Sequence, residues 1–589
     1  MPVPPFVVLD FPACRSRPAA SLLFEAPSEV IEARWLADIG TALAQVDAAV
    51  AAGRHAIGFV AYEAAPAFDG ALAARPPGAL PLAWFALFDG PCRIDPGPIA
   101  AATAAWRPRS DRRAHAGAVA AVRESIARGD VYQVNHTVRL DVDVGGDPGA
   151  LYRRLLAAQG PGYGARIHTG RHEILSASPE LFFARDGRRL LTRPMKGTAR
   201  RGRWLEEDDR RAAALAASPK ERAENVMIVD LVRNDLGRIA ETGSIRVQSL
   251  FEVERRPTVL QMTSTIAATL LPGTSTFDAF AALFPCGSVT GAPKIAATRA
   301  IAALEPDPRG VYCGAIGHLA PNGEVAFSVA IRTLTIDHET GGAEYGVGGG
   351  ITWDSESEWE YDEMVAKAAI LTADLPSFEL LETLRFENGA FCRLERHLAR
   401  LEASAAYFGF DAPRLRAAAA TALAGFTRGP GAASIARVRL RVAPDGAAIV
   451  ESGPMHTPPA EPPATVLAQT PVRSSDRFLF HKTTRRGLYD RARAEHPEFF
   501  DVLLWNERSE ITEFTTGNVV VEIDGERWTP PRECGLLAGT FRGELLEVGA
   551  LGERVIHRDD LARASRVWLV NSVREWVEVR LPDGDAGSP

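Results

Sequence analysis

Short apolar runs set between proline and glycine turns fill the chain up to about Pro108, and this spacing constrains the fold more than any other feature. Phe6-Val7-Val8-Leu9, Ile57-Gly58-Phe59-Val60-Ala61-Tyr62 and Leu82-Ala83-Trp84-Phe85-Ala86-Leu87-Phe88 are each of strand length and end at turn formers. A helical spacing begins near Ala114. Helices then alternate with β-branched strands as far as Leu371, without a low-complexity linker. The elements follow in runs and not in strict βαβ order, which predicts one large α+β domain over residues 1–372.

A second unit, residues 376–580, opens near Pro376. Leu380 to Phe386 and Ala390 to Leu394 flank Glu387-Asn388-Gly389, an Asn-Gly hairpin signal, and a helix is expected from about Arg396. The proline-rich stretch Pro454 to Pro463 divides this unit into two lobes. Strands resume at once in Ala464-Thr465-Val466-Leu467, so it reads as a crossover and not as a tether.

Composition narrows the function classes. The chain has 589 residues, 46% of them hydrophobic, and a net charge of −8 with both signs interspersed. That excludes a basic nucleic-acid stripe or a membrane-seeking patch and leaves small anions or proteins as partners. Six cysteines, Cys14, Cys92, Cys286, Cys313, Cys392 and Cys534, lack metal or disulfide spacing. With no signal-like start and no apolar run of about 18 residues, the expected location is the cytoplasm, away from membranes.

Two lysines and two acidic pairs carry the chemistry. Lys196, in Arg193-Pro194-Met195-Lys196-Gly197-Thr198, is expected on a tight connector after the strand-like Arg189 to Thr192. A lysine held there, desolvated or beside a cation, becomes neutral enough to attack a ligand. Glu221 and Glu224 share one helix and Glu360 and Glu363 another, each at i, i+3 spacing that places both carboxylates on one face. Such pairs are ordinarily solvated surface, but four carboxylates also suit magnesium. The glycines of Gly346-Val347-Gly348-Gly349-Gly350 would let backbone N–H groups approach an anion closely.

An ordered set of motifs then gives a resemblance. Gly129-Asp130-Val131-Tyr132-Gln133-Val134-Asn135, Ser178-Pro179-Glu180, Pro194-Met195-Lys196-Gly197-Thr198, Ile228 to Leu236, Phe284 to Lys294, Arg309 to Gly314 and Ala330-Ile331-Arg332-Thr333 occur in that order. Together they resemble the chorismate-utilising enzymes over about residues 1–372, implying a two-layer domain of antiparallel sheets with helices. Lysine in the P-x-K-G-T motif is similar to aminodeoxychorismate synthase component I, where anthranilate synthases usually carry alanine. The resemblance implies that Lys196 attacks C2 of chorismate as the 4-hydroxyl leaves, and that ammonia then enters at C4. It makes Glu180 the general acid and Glu221, Glu224, Glu360 and Glu363 the magnesium group. Tyr312, Arg332 and Lys367 hold carboxylates, and Thr198, Gly348 and Gly349 also contact substrate. Gln133 stands where water-adding relatives place a basic lysine; an amide cannot act as a base, which favours ammonia as the attacking species. Gln261-Met262, Gln159-Gly160-Pro161-Gly162-Tyr163 and Ser357 depart from the commonest family forms.

The C-terminal unit resembles fold-type IV pyridoxal-phosphate enzymes over about residues 376–580. The motifs are Glu395 to Leu401, Phe480-His481-Lys482-Thr483-Thr484-Arg485-Arg486, Ile511 to Val519, and Gly535 to Arg542. Carried over, Lys482 forms the Schiff base, Glu513 pairs with the pyridine nitrogen, and Arg400, Thr540 and Ser572 hold the phosphate. Thr383 matches a position that helps a lyase handle protons. Aminodeoxychorismate lyases and aminotransferases share this apparatus, so the sequence separates them poorly; a non-catalytic module is a third reading. Economy favours the lyase, since the first domain's product would be the second domain's substrate, giving 4-aminobenzoate for folate synthesis. The resemblance also implies a separate glutamine amidotransferase subunit or free ammonia as nitrogen source, and leaves open a homodimer through the C-terminal unit.

Overall fold

The computed structural model describes residues 3–12, 20–94, 102–372, 377–426, 435–455 and 461–581. Cys14, Pro376 and residues 456–460 of the proline-rich stretch lie outside the described residues. The chain divides into two compact units: Met1–Arg200 with Ala212–Leu375, and Arg201–Arg211 with Pro376–Pro589.

The first unit is built on two antiparallel sheets that share a core, with helices on their outer faces. The strand Ala83–Phe88 explains the layering, because all six of its residues are buried. Trp84, Ala86 and Phe88 face the inter-sheet core with Val7, Leu9, Phe24, Ile167 and Ile174 of the other sheet. Phe85 and Leu87 alternate to the opposite side, against Leu43, Val46, Phe280 and Leu283 of the helices Ile39–Ala51 and Thr276–Leu283. A strand apolar at every position therefore needs cover on both faces. The outer face of the first sheet is covered by Pro148–Gln159 and Ser357–Ala368 through Leu151, Leu155, Tyr361 and Met364.

The second unit has two sheets. Leu380–Glu387 and Ala390–Phe391 form the expected hairpin, with Asn388 and Gly389 at φ of 50° and 83°, the left-handed pair that a tight turn demands. They join Ile435–Val442 and Ala448–Gly453, and the helices Leu394–Phe408 and Ala412–Ala424 pack on this sheet through Leu398, Leu401, Leu415 and Leu423. The larger, mixed sheet centres on Gly517–Ile523, with the helix Thr540–Glu547 against one face. The α+β class and the antiparallel sheets agree with the sequence reading.

Three local expectations need correction. Lys196 lies inside a strand, Met195–Arg200, and not on a connector. The register with Val259–Thr269 breaks between Met195 and Thr198, where Gly197 takes a φ of 97°; that irregularity, and not a loop, is what the glycine permits. The Gly346 to Gly350 run belongs to the strand Ala343–Ile351, hydrogen-bonded along Gln133–Gly145. The approach to Lys482, which its apolar residues Phe478 to Phe480 make strand-like in the sequence, is instead a single 3-10 turn, Arg477–Leu479.

Candidate active sites

A cleft of about 240 Å³ in the first unit gathers most of the predicted residues: Glu180, Lys196, Thr198, Glu221, Glu224, Tyr312, Arg332, Gly348, Gly349, Glu360, Glu363 and Lys367 all line it. Gln133 does not line the cleft but is buried behind Gly350, which does. A Cβ on Gly350 would overlap Gln133 Nε2 and come within 2.6 Å of Lys196 Nζ, so the two side chains share the space that this glycine vacates. Gln133 is 0% exposed, and neither its Oε1 nor its Nε2 has a hydrogen-bond partner. An unsatisfied buried amide costs about 1–3 kcal/mol, which a ligand able to bond it would recover.

Electrostatics suit this arrangement. Burial lowers the pKa of Lys196, with Glu224 opposing and Lys367 reinforcing the shift. Burial pushes Glu180 up to about 7 against the hydrogen bonds of Ser288 and of the Met195 N–H, so a substantial fraction of it is protonated near neutral pH. Burial, then Glu224, raises Glu221; burial also raises Glu360, with Ser355 opposing and Glu363 reinforcing. This mutual repulsion is what a bound cation relieves. Glu360 accepts from Ser355 Oγ at 2.6 Å, while Lys367 Nζ pairs with Glu363 at 2.7 Å and donates to the Gly348 carbonyl at 2.8 Å. Among the described residues, the trio whose ligand atoms lie within 4.8 Å of one another is not this set but His168, Glu173 and His338. That trio is already a closed network: Glu173 bonds Arg166 and His338, and His168 Nδ1 accepts the Gly170 N–H. The four cleft carboxylates stand further apart. Their oxygen-only donor set fits a hard cation that keeps water and substrate in its coordination shell.

Two assignments gain detail. Arg332 has a φ of 54° and donates to the Lys367 carbonyl, so backbone strain and a fixed acceptor aim its guanidinium. Thr198 Oγ1 donates to Gln261 Oε1 at 3.1 Å, tying one departure from the family pattern to the cleft rim. Ser288, within the motif Phe284 to Lys294, and Ser355 carry no assigned role in the sequence. Each acts through one carboxylate, at a separation no helical or strand period marks.

The second unit holds a cavity of about 280 Å³ lined by Thr383, His397, Arg400, Arg437, Arg439, Lys482, Arg486, Glu513, Thr540, Ser572 and Arg574, among others. Lys482 is pinned through its carbonyl, which accepts the Leu381 N–H at 2.9 Å. Burial, with Arg486 and Arg400, brings its amine down to about 7. Glu513 is buried, accepts Tyr489 Oη at 2.9 Å, and is pushed up to about 7 by burial. Arg400 and His397 both grip Glu382, at 2.9 and 2.6 Å. Burial would raise the Glu382 carboxyl, yet these partners hold it at about 2. His397 Nε2 in turn meets Ser572 Oγ at 2.7 Å and Thr540 Oγ1 at 3.2 Å. The predicted phosphate residues thus converge, joined by His397, which the sequence reading quoted in its motif without a role. The helix opening at Thr540 has no side-chain cap, which leaves its first N–H groups for an anion. A buried carboxyl, a depressed lysine and an open anion cradle fit pyridoxal phosphate.

The remaining arginines give this cavity a distinct character. Arg437 and Arg439 sit one turn of the pleat apart on Ile435–Val442, Arg439 opposite Thr383, and neither joins an ion pair among the described residues. Arg574 is held below its ordinary value by burial, with Asp501 opposing and Arg437 adding to the effect. Arg437 and Arg439 are exposed, and together with Arg574 they would suit an anionic ligand.

Comparison with known proteins agrees with both halves. Residues 95–373 match the chorismate binding enzyme model and residues 379–581 the class IV amino-transferase model. Aminodeoxychorismate synthase component 1 of Klebsiella aerogenes is 41% identical over 283 residues, 48% of this chain and 62% of that protein. Anthranilate synthase component 1 of Streptomyces coelicolor is 40% identical over 292 residues, 48% of this chain and 57% of that protein. The chain therefore spans about three fifths of the length of these relatives, and overall identity does not choose between them. The crystal structure of anthranilate synthase component I from Streptococcus pneumoniae superposes with a TM-score of 0.53 at 28% identity, covering 62% of this chain and 94% of that one. Among the described residues, no helix is long and apolar enough to cross a membrane, and Cys92, Cys286, Cys313, Cys392 and Cys534 are unbonded. The chain is a chorismate-binding-enzyme domain, similar to aminodeoxychorismate synthase component 1, joined to a class IV aminotransferase domain.

Proposed function

We propose that the first domain converts chorismate and ammonia to 4-amino-4-deoxychorismate and that the second releases pyruvate from it to leave 4-aminobenzoate. The observation that carries the first step is that Lys196 Nζ and the unpartnered amide of Gln133 both border the space left by Gly350. Lys196 Nζ bonds to C2 of the ring while the bond from C4 to its hydroxyl breaks, and Glu180, which holds its proton up to about pH 7, delivers that proton so that water departs. Ammonia then bonds to C4 and the Lys196 nitrogen leaves C2. Gln133 can hold ammonia by hydrogen bonds but cannot deprotonate water. Magnesium held by Glu221, Glu224, Glu360 and Glu363 would neutralise substrate carboxylate charge there, while Arg332 and Tyr312 orient the substrate.

In the second domain pyridoxal phosphate, when bound, supplies an electron sink for the carbon bearing the amine. Arg400, Thr540, Ser572 and His397 would hold its phosphate and Glu513 its ring nitrogen. Lys482, near 7, can take a proton from C4 of the substrate and return one to the departing enolpyruvyl group, with Thr383 beside it in the cavity. Arg437, Arg439 and Arg574 suit a substrate with two carboxylates, and the first domain's product is an amine with two carboxylates.

An aminotransferase is the second reading, favoured by the class IV match itself. Incubating the chain with chorismate, magnesium, ammonium and pyridoxal phosphate separates the two. The expected result is one pyruvate per 4-aminobenzoate with no amino donor consumed. Dependence of turnover on glutamate and a 2-oxo acid would refute the lyase step. Retained amination in Lys196→Ala would refute the covalent one. We further propose that a separate glutamine amidotransferase subunit supplies the ammonia; robust glutamine-dependent turnover by the chain alone would contradict this.

A further inference from the structure

Residues 201–211 fall within the chorismate-binding match yet belong structurally to the second unit. Trp204 is 4% exposed and sits in one apolar cluster with Leu479, Phe480, Tyr489, Val502 and Leu504. Its ring stacks on Phe480 at 5.0 Å, and Arg532 covers it at 4.7 Å. Next to it, the Arg203 carbonyl meets His481 Nε2 at 3.1 Å. A carbonyl only accepts, so Nε2 carries the hydrogen, and Nδ1 is left to accept from Ser404 Oγ at 3.0 Å. The His481 ring is further clamped on Tyr407 at 4.4 Å. Tyr407 Oη donates to the Gly202 carbonyl at 2.8 Å, and Arg201 reaches the Tyr407 carbonyl at 2.8 Å. The Arg203 guanidinium anchors the segment on the Glu533 carbonyl at 3.0 Å.

These contacts bear on two cofactor-site residues at once. Phe480 and His481 immediately precede Lys482, whose own carbonyl is fixed from the other side by the Leu381 N–H. Tyr489 shares the Trp204 cluster and donates to Glu513. We propose that Arg203 and Trp204 are positioning residues for the cofactor site, holding Lys482 through Phe480–His481 and Glu513 through Tyr489. The class IV match begins at residue 379 and so contains no counterpart of this segment. In this chain the residues that precede the lysine are supported by a segment from the middle of the other domain's sequence.

The inference rests on the reading of Lys482 as the cofactor lysine, and the test distinguishes the two failures. In the full-length chain, Trp204→Leu removes the stacking while keeping apolar volume, and Trp204→Phe restores it. Pyridoxal phosphate is titrated while the visible absorbance of the protein-bound cofactor is followed across pH. Trp204→Leu should weaken cofactor binding by about tenfold or more, as loss of a supporting contact typically does, and shift the pH midpoint of the absorbance. Trp204→Phe should recover both, and amination of chorismate with ammonium should be unchanged in either variant. A lowered melting temperature with affinity and midpoint within twofold of the parent chain would overturn the positioning role. Absence of cofactor uptake by the parent chain would overturn the Lys482 reading itself, and this inference with it.

Discussion

Replacing Glu180 by glutamine separates what this carboxyl does for the reaction from what it costs the fold. The residue is 2% exposed, and burial lifts its pKa from 4.5 to about 7. In the unfolded chain the pKa returns to the ordinary value, a change of roughly 2.5 units and so about 3–4 kcal/mol at ~1.4 kcal/mol per unit. The folded state keeps its proton to higher pH, so between 4.5 and about 7 the unfolded state binds fewer protons, and stability falls as pH rises through that window. Glutamine cannot ionise. Glu180→Gln should therefore match the parent near about pH 4.5 and exceed it by up to about 3–4 kcal/mol near about pH 8, while losing amination because no acid serves the departing hydroxyl. Urea unfolding at a series of pH values, read on the transition of the first unit, gives the stability difference; initial rates with ammonium give the activity. A stability difference flat across the window, or amination within about tenfold of the parent, would refute the assignment of Glu180 as a buried protonated acid.

Gly350→Ala places a methyl group against Gln133 Nε2 and 2.6 Å from Lys196 Nζ, and amination should fall about a hundredfold with cofactor uptake in the second domain intact. Lys482→Ala should give no visible absorbance with pyridoxal phosphate, and aminodeoxychorismate should accumulate at the parent rate. Arg439→Gln should raise KM for supplied aminodeoxychorismate about tenfold or more, the scale of one charge-assisted hydrogen bond, without changing cofactor absorbance. Stripping divalent ions with a chelator should stop amination until magnesium is restored, and should leave pyruvate release from supplied aminodeoxychorismate unaffected.

What the sequence makes legible is whatever depends on local period or on a motif. The i, i+3 acidic pairs fall on the helices Pro219–Leu236 and Ser357–Ala368 as the spacing requires. The Asn388-Gly389 hairpin is a backbone consequence of two residues. Lys196 reads as a turn residue because proline and glycine flank it, and only pairing with Val259–Thr269 makes the segment a strand. The glycine run reads as backbone open to an anion, whereas in the strand Ala343–Ile351 the missing side chain of Gly350 makes room for Gln133 and Lys196. Arg437 and Arg439 sit at strand period, so alternation marks their common face, but nothing local says that the face opens on Lys482. Trp204 is the extreme case: its partners lie more than two hundred residues away in sequence, and no local pattern encodes them.

The two lysines solve one problem by different means. Each must present a neutral amine, and for each the leading cause of its lowered pKa is burial. Around Lys196 the next influence is Glu224, which opposes the shift, because the same cleft must also carry the acidic residues that would bind a cation. Around Lys482 the next influences are Arg486 and Arg400, which reinforce it, because that cavity is built to receive anions. On the proposed function, the charge beside each amine is the charge its ligand would need, acidic for a metal-bound substrate and basic for a phosphate cofactor and a carboxylate-bearing amine. Exchanging one lysine's surroundings for the other's would therefore cost both the nucleophile and the ligand, which is a physical reason for the two chemistries to occupy separate domains.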